Sequence, residues 1–136
     1  MNSILSVYLD NWHDWSSTWD YLAKLQPAWV RIHQANARTI ARVQEVCPSA
    51  NLMLRSWEID DNNGERKREL YANPVQAAHK HLAMWMDKIM EIATELNRNG
   101  WRYEQAKWYL GLVNEPDPNY LPQVVAYTRE AMRVAG

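Results

Sequence analysis

The sequence contains no phenylalanine, a single cysteine and only four glycines among 136 residues. Because Cys47 has no second cysteine to pair with, an internal disulfide is excluded and no cysteine cluster is available for a metal. Fifteen basic and 16 acidic residues give a net charge of -1, so the charge balance indicates neither a nucleic-acid partner nor an anionic membrane. No apolar run approaches the ~20 residues of a membrane-spanning helix. We therefore expect a single domain over residues 1–136, without a metal or cofactor.

The N-terminal segment also lacks the basic stretch and long apolar core of a signal peptide, so the sequence indicates no particular compartment. His79 and His81 are spaced by two on a helix pattern and face different ways, so they do not form a metal pair. Aromatic residues, in contrast, are abundant, with eight tryptophans and seven tyrosines. Most of them are expected in the core, and some are candidates for stacking on a sugar ring.

Strand and helix patterns alternate along the chain. We expect strands at 4–9, 29–33, 52–57 and 108–113, and helices at 17–25, 35–46, 73–99 and from Pro122 onward. The charged segment 58–70 is expected to be a polar loop. This alternation predicts an α/β fold with an all-parallel sheet.

The two faces of these strands differ in character. One face carries apolar side chains, namely Leu5, Val7, Val30, Ile32, Leu52, Leu54 and Leu110. The other face carries Ser6, Tyr8, Arg31, His33, Arg55, Trp57 and Glu115. A doubly wound sheet needs two apolar faces, so the polar second face favours the first four βα units of a parallel (β/α)8 barrel. A flavodoxin-like domain that binds a phosphate ligand is the alternative, but no glycine-rich phosphate loop supports it.

The motif around which the chain is organised is Asn114-Glu115-Pro116, directly after the fourth strand pattern. Period-two alternation predicts Glu115 at the carboxyl end of that strand. Pro116 is expected to bias Glu115 toward extended backbone geometry. Active sites of parallel barrels gather at this end of the strands, so Glu115 is a candidate catalytic residue.

Asn-Glu-Pro after a fourth hydrophobic strand resembles the acid/base motif of clan A, the retaining (β/α)8-barrel glycoside hydrolases. The resemblance covers the chain as the N-terminal half of such a barrel. It implies a glycosidase that hydrolyses O-glycosidic bonds of a β-linked polysaccharide or oligosaccharide, with Glu115 as general acid/base and Asn114 binding the sugar 2-hydroxyl. Arg31 lies where this clan often keeps an arginine close to the nucleophile. The other candidates for substrate binding are His33, Trp57, Asp10 and Trp12.

The nucleophile of the resembled clan has no counterpart in these four units. Retaining hydrolysis needs a second carboxyl group ~5–5.5 Å from the acid/base, and the clan supplies it from the seventh strand. Three alternatives remain: a missing C-terminal half-barrel, a homodimer in which Glu58 or Asp60 of the second copy serves as nucleophile, or a carbohydrate-binding protein that does not cleave its ligand.

Overall fold

Helices and strands alternate along the chain in the computed structural model, which describes residues 6–9, 16–55, 57–59 and 64–136. The elements are β1 Ser6–Leu9, α1 Ser16–Leu25, β2 Trp29–Ile32, α2 Ala37–Val46, β3 Asn51–Leu54, α3 Gly64–Ala72, α4 Pro74–Arg98, β4 Trp108–Leu110 and α5 Leu121–Ala135. Short 3-10 turns precede β4 and α5. The predicted α/β class is confirmed.

The four strands form one all-parallel sheet in the order β1-β2-β3-β4. Its register aligns Tyr8, Arg31, Met53 and Tyr109 in one row across the sheet. Each crossover moves to the next strand in the same direction, so right-handed connections place successive helices on the same face. The strand order never reverses among these four strands, and the doubly wound flavodoxin-like alternative is therefore wrong.

One face of the sheet is buried and the other is open. Val30, Ile32, Leu52 and Leu54 are all at most 1 % exposed, and burying such side chains is the main force that holds helices against a sheet. On the opposite face, Tyr8 is 43 % and Tyr109 is 46 % exposed. The predicted division of the strands into an apolar and a polar face is confirmed where the strands are described. Leu5 lies outside the described residues.

Helix ends follow their capping residues. The Asn36 side chain accepts a hydrogen bond from the Thr39 amide at 2.9 Å, which fixes the start of α2. Asn73 accepts from the Gln76 amide at 3.3 Å, and proline occupies the first position of α4. Gly100, with a φ of 67°, follows the end of α4 as a left-handed residue.

Three expected boundaries are wrong. Gly64–Ala72 forms helix α3 instead of a polar loop, with Leu70 fully buried and Lys67 8 % exposed. β3 ends at Leu54, before Trp57. β4 ends at Leu110, and Val113, beyond it, pairs with Ile59 as an isolated parallel bridge.

The backbone divides into two compact units. The sheet unit comprises residues 1–56 and 91–111 and holds all four strands. The helix unit comprises residues 57–90 and 112–136, and its buried residues include Ile59, Leu70, Trp85 and Tyr127. None of the helices in the described ranges is long and apolar enough to cross a membrane.

Candidate functional site

The polar residues at the carboxyl ends of β1, β2 and β3 gather around one tyrosine ring in the sheet unit. We call Tyr8, Arg31, His33 and Arg55 the Tyr8 cluster. The guanidinium carbons of Arg31 and Arg55 lie 5.6 Å and 5.4 Å from the centroid of the Tyr8 ring. His33 Nδ1 and the Tyr8 hydroxyl are hydrogen-bonded at 2.8 Å. The cluster therefore combines two cations, an imidazole and a phenol on the open face of the sheet.

Backbone hydrogen bonds hold the two cluster residues that lie beyond the strand ends. The His33 amide donates to the Leu9 carbonyl at 3.0 Å, and the Arg55 amide donates to the Ile32 carbonyl at 2.9 Å. These bonds continue the parallel ladder past β2 and β3. Period-two alternation had grouped these side chains on one face, and the structure confirms that Arg31 and His33 lie together.

Arg31 carries an unusual donor. Its Nε atom is buried from solvent and has no hydrogen-bond acceptor among the residues that the structure describes. Leaving a buried donor unpaired costs about 1–3 kcal/mol, and more for a charged group. Such donors are rare in folded proteins, so the Nε atom calls for a functional explanation.

The second candidate region is the Glu115 loop of the helix unit, residues 112–117. Glu115 has a φ of 46°, in the left-handed region, where a residue with a Cβ costs about 1–2 kcal/mol. The expectation that Pro116 keeps Glu115 extended is therefore wrong. The expectation that Glu115 ends the strand is wrong as well, because the chain turns after the isolated bridge at Val113.

Contacts on both sides of the Glu115 loop account for this conformation. The Asn114 amide donates to the Ile59 carbonyl at 2.6 Å, and the Ile59 amide donates to the Leu112 carbonyl at 2.8 Å. Lys67 Nζ donates to the Glu115 carbonyl at 3.2 Å. The Asp117 amide donates to the Tyr71 hydroxyl at 3.0 Å. The surrounding structure thus fixes the loop backbone strongly enough to maintain a strained residue.

The carboxylate of Glu115 is open to a ligand. The residue is exposed, and its carboxylate makes no hydrogen bond or ion pair with any residue in the described ranges. The preceding Asn114 is half-buried. The loop consequently combines a fixed backbone with an accessible acid.

Trp57 and Glu58 lie at the start of the helix unit. The Trp57 carbonyl accepts hydrogen bonds from Arg66 Nη1 at 2.8 Å and from Trp85 Nε1 at 3.0 Å. Arg66 Nη2 also donates to the Glu58 carbonyl at 3.3 Å. Trp57 is half-buried and Glu58 is only 9 % exposed. Asp10, Trp12 and Asp60, the other candidates, lie outside the described residues.

Sequence reasoning missed the two basic residues of α3 that support this region, Arg66 and Lys67. They belong to the charged run that was expected to be a loop. Lys67 is 8 % exposed although it is a lysine, and only the fold reveals that its ammonium group reaches the Glu115 carbonyl. A helical reading of Gly64–Ala72 would have placed Lys67 and Leu70 on one face, which is the signal that was available.

A buried polar network joins the three helices of the helix unit. His81, 2 % exposed, meets the Tyr127 hydroxyl through Nδ1 at 2.9 Å and a carboxylate oxygen of Glu69 through Nε2 at 2.9 Å. Burial lowers the pKa of His81 and raises the pKa of Tyr127. Hydrogen bonds from Lys80 and His81 lower the pKa of Glu69.

These pKa shifts, together with the hydrogen-bond partners, indicate which atoms of the network carry the protons. Neutral His81 donates its Nε2 proton to the Glu69 carboxylate, and the Tyr127 hydroxyl donates to Nδ1. Each buried polar group then has a partner, so the network holds helices together and leaves no group free for chemistry. His79 points instead to Glu130, 2.8 Å away, which confirms that the two histidines face different ways.

A cleft of about 810 Å³ opens in the sheet unit at the amino-terminal side of the strands, away from the Tyr8 cluster. It is lined by Ala41, Gln44, Glu45, Pro48, Gly100, Trp101, Arg102, Tyr103 and Glu104. The Gln44 side chain spans it through two 3.3 Å hydrogen bonds with the backbone of Glu104. In a parallel α/β fold this side of the sheet is typical of stabilising contacts.

Over the parts of the chain that the structure describes, no three histidine, cysteine, aspartate or glutamate side chains gather as a metal site would require. No known family model matches the chain, and comparisons with curated proteins and with solved structures found no match.

Proposed function

We propose that this chain is a glycoside hydrolase-like protein in which Glu115 is the general acid/base for hydrolysis of an O-glycosidic bond in a β-linked polysaccharide or oligosaccharide. One observation carries the proposal. An exposed glutamate, strained at a φ of 46°, follows the fourth strand of a sequentially ordered, all-parallel sheet. Strain of this kind clusters at functional sites, because folding alone gains nothing from it.

The proposal includes the fold. The strand order β1-β2-β3-β4 is the order of the first four strands of a (β/α)8 barrel, and Asn114-Glu115-Pro116 follows the fourth, where clan A carries its acid/base motif. The polar side chains on the unburied face of the sheet suit the interior of a barrel near its catalytic mouth. We therefore propose that the sheet is half of such a barrel.

The chemistry of a general acid agrees with the surroundings of Glu115. A general acid must reach the glycosidic oxygen, protonate it as the bond breaks, and later take a proton from water. The carboxylate of Glu115 is accessible, and the bond from Lys67 to the Glu115 carbonyl fixes its backbone. Asn114, next to it, supplies an amide for the sugar 2-hydroxyl, as the resemblance implies.

The nucleophile is expected from outside these 136 residues. Glu58, one of the two acids considered for a shared site in a homodimer, is only 9 % exposed in its own chain. An anion that attacks a sugar must be accessible, so this burial favours a separate C-terminal half-barrel over a homodimer that uses Glu58. Arg31, on β2, is the residue that the resemblance places close to that nucleophile.

A carbohydrate-binding protein without turnover is the second candidate. The exposed face of the sheet favours it, because Tyr109 is 46 % exposed and its ring lies 4.9 Å from that of Trp29. Aromatic planes on an open surface are suited to stacking against sugar rings.

The test is to measure binding and product release with the same panel of β-linked oligosaccharides, on this chain together with the C-terminal half-barrel that supplies the nucleophile. Binding together with release of new reducing ends supports the hydrolase. Binding without release supports the carbohydrate-binding alternative. If neither binding nor release of reducing ends is observed, the hydrolase and the carbohydrate-binding candidates are both contradicted.

A further inference from the structure

Two stacked tyrosines lie beside the Glu115 loop in the helix unit. The rings of Tyr71, on α3, and Tyr120, in the 3-10 turn Pro118–Tyr120, are nearly parallel, with an interplanar angle of 11° and centroids 4.2 Å apart. Tyr71 covers one face of the Tyr120 ring, whereas Tyr120 remains 39 % exposed. The accessible part of this pair is therefore the outer face of Tyr120.

Hydrogen bonds fix both tyrosines relative to the Glu115 loop. The Tyr71 hydroxyl accepts from the Asp117 amide at 3.0 Å. The Tyr120 amide donates to the Asp117 carbonyl at 2.9 Å, and the Asp117 side chain accepts from the Asn119 amide at 2.9 Å. Asp117 thus joins the loop, the 3-10 turn and the stacked pair into one fixed segment.

Helix α3 supports the acid and the tyrosine pair from the same face. Lys67, which donates to the Glu115 carbonyl at 3.2 Å, and Tyr71 are four residues apart on α3, so they extend from the same side of the helix. Tyr120 follows Glu115 by five residues, which limits the distance between their Cα atoms to at most ~18 Å. A short oligosaccharide can therefore contact both residues.

The fold does not explain why the exposed residue is a tyrosine. Tyr120 directly precedes α5, where serine, threonine, aspartate or asparagine would cap the helix, and its side chain makes no capping hydrogen bond. A tyrosine ring presents a flat apolar face, which suits the C–H bonds on the face of a pyranose ring. Asn119, next to it, is exposed and carries an amide that can bond hydroxyls at the rim of that sugar.

We propose that Tyr120, backed by Tyr71, is the stacking platform for the sugar on the leaving-group side of the bond that Glu115 cleaves. A general acid protonates the oxygen that departs with this sugar, so a platform next to the acid meets the departing part of the substrate. The inference rests on the function proposed above. It implies that β-linked oligosaccharides are better substrates than β-glycosides whose leaving group is not a sugar.

Binding to this chain is the first measurement. NMR titration of the ¹⁵N-labelled chain with β-1,4-linked tetrasaccharides of glucose, xylose, mannose and N-acetylglucosamine gives a dissociation constant for each one that binds. Tyr120→Leu removes the flat ring and keeps an apolar side chain, so it should weaken that binding about three- to tenfold. Tyr120→Phe keeps the ring and should bind almost as tightly as the wild type.

Two further tyrosines serve as controls for the same change. Tyr21 is 65 % exposed on α1 of the sheet unit, and Tyr21→Leu should leave the affinity unchanged. Tyr109 is 46 % exposed on the open sheet face, where the carbohydrate-binding alternative would stack its ligand. Weaker binding by Tyr109→Leu with unchanged binding by Tyr120→Leu would place the sugar on the sheet and overturn the platform.

A second measurement tests the leaving-group side, in the assembly of this chain with the half-barrel that supplies the nucleophile. It compares a tetrasaccharide with the methyl β-glycoside of the same sugar. Both leaving groups require protonation, but methanol has no ring to stack. Tyr120→Leu should lower kcat/KM about three- to tenfold for the tetrasaccharide and leave that of the methyl glycoside unchanged.

The outcomes separate the platform from the proposed function. Undiminished binding and turnover of the tetrasaccharides by Tyr120→Leu overturns the platform and leaves the function standing. Equal losses on both substrates show that Tyr120 only positions the Glu115 loop, which also overturns the platform. Binding that Tyr120→Leu weakens, without hydrolysis in the assembly, supports sugar stacking on Tyr120 and contradicts the hydrolase. Absence of binding by every tetrasaccharide contradicts both.

Discussion

Two residues other than glycine have a positive φ in the described part of the chain, and they differ in the hydrogen bonds that their side chains make. Gln26, with a φ of 44°, directly follows α1, and its side chain donates to the carbonyls of Ala23 at 2.8 Å and Val46 at 2.9 Å. Glu115, with a φ of 46°, makes no such bond with its carboxylate in the described ranges. The side chain of Gln26 offsets its strain, whereas that of Glu115 does not. A role in function explains why a glutamate occupies the second position.

This contrast predicts opposite effects of glycine. Glu115→Gly should increase the free energy of unfolding by up to about 1 kcal/mol, because glycine adopts a positive φ without a Cβ clash. Gln26→Gly relieves the same strain but loses two hydrogen bonds, so we expect no gain or a net loss. Urea denaturation of the two variants and the wild type measures the difference. Equal destabilisation by both variants would contradict the assignment of unrelieved strain to Glu115.

Some of the candidate site was predictable from local pattern and some was not. Strand alternation correctly grouped Arg31 and His33 on one face, because side-chain direction in a strand depends only on sequence spacing. The φ of Glu115 was not predictable, since the local preference imposed by Pro116 is overridden by contacts with Ile59 and Lys67, which are distant in sequence. The lack of a hydrogen-bond acceptor for the buried Nε atom of Arg31 likewise depends on which residues surround it in the fold.

At the scale of elements, the helices and strands that the sequence predicts well are those whose ends are marked by capping residues, proline or glycine. Helix α4, Pro74–Arg98, begins after Asn73 and ends before Gly100, close to the expected bounds. Helix α3, Gly64–Ala72, was missed because Leu70 is its one large aliphatic residue, so its sequence gives no apolar stripe. Its lysine and arginines favour helix intrinsically, but contacts of Arg66, Lys67 and Leu70 within the helix unit decide the outcome.

The network between α3, α4 and α5 predicts that the helix unit loses stability in acid in two stages. Burial lowers the pKa of His81 below its ordinary 6.5, so the unfolded chain binds this proton more readily than the folded one. The stabilisation from neutral His81 is therefore complete above pH 6.5 and is lost as the pH falls below it. Hydrogen bonds from Arg133 and His79 lower the pKa of Glu130 from 4.5 to about 2, and the pKa of Glu69 is also lowered. The stabilisation that ionised Glu130 and Glu69 contribute to the folded state is therefore lost as the pH falls below about 4.5.

Denaturant unfolding measured between pH 8 and pH 3 checks both stages. His81→Gln should remove the decline between pH 6.5 and 5 and keep the decline below 4.5. His79→Gln is the control, because this histidine lies on the same helix with a side chain that is 49 % exposed. The His79→Gln variant should keep the decline in unfolding free energy between pH 6.5 and 5. A wild-type unfolding free energy that does not change between pH 7 and 5 would contradict the proton assignment of the network.

At the scale of the whole molecule, the sheet presents features that favour association. β1 and β4 each pair with one neighbour in the described sheet, and Tyr8 and Tyr109 are exposed on its unburied face. Natural proteins usually cover or pair such strands. The sequence correctly predicted this open face, because the alternation of polar and apolar residues is fixed along each strand. It does not reveal what covers the face.

We expect light scattering to give a mass above the 16.0 kDa of the monomer as concentration rises. Tyr109→Lys, on the sheet face, should shift the protein toward the monomer. Tyr21→Lys is the matched control, because Tyr21 is 65 % exposed on α1, on the helical side of the same unit, and should have little effect. A compact monomer at all concentrations would count against a half-barrel.

The central claim, that Glu115 is the general acid/base, is tested most directly in the assembly of this chain with the half-barrel that supplies the nucleophile, by hydrolysis rates of Glu115→Gln on two β-glycosides that differ in their leaving group. For a sugar leaving group, which requires protonation, we predict that kcat/KM falls by about 10²- to 10⁴-fold. For a dinitrophenolate, which departs without an acid, we predict a much smaller loss. Glu65→Gln, the same change at an exposed position of α3, should leave both rates unchanged. Undiminished turnover of the sugar-leaving substrate by a folded Glu115→Gln variant would contradict the account.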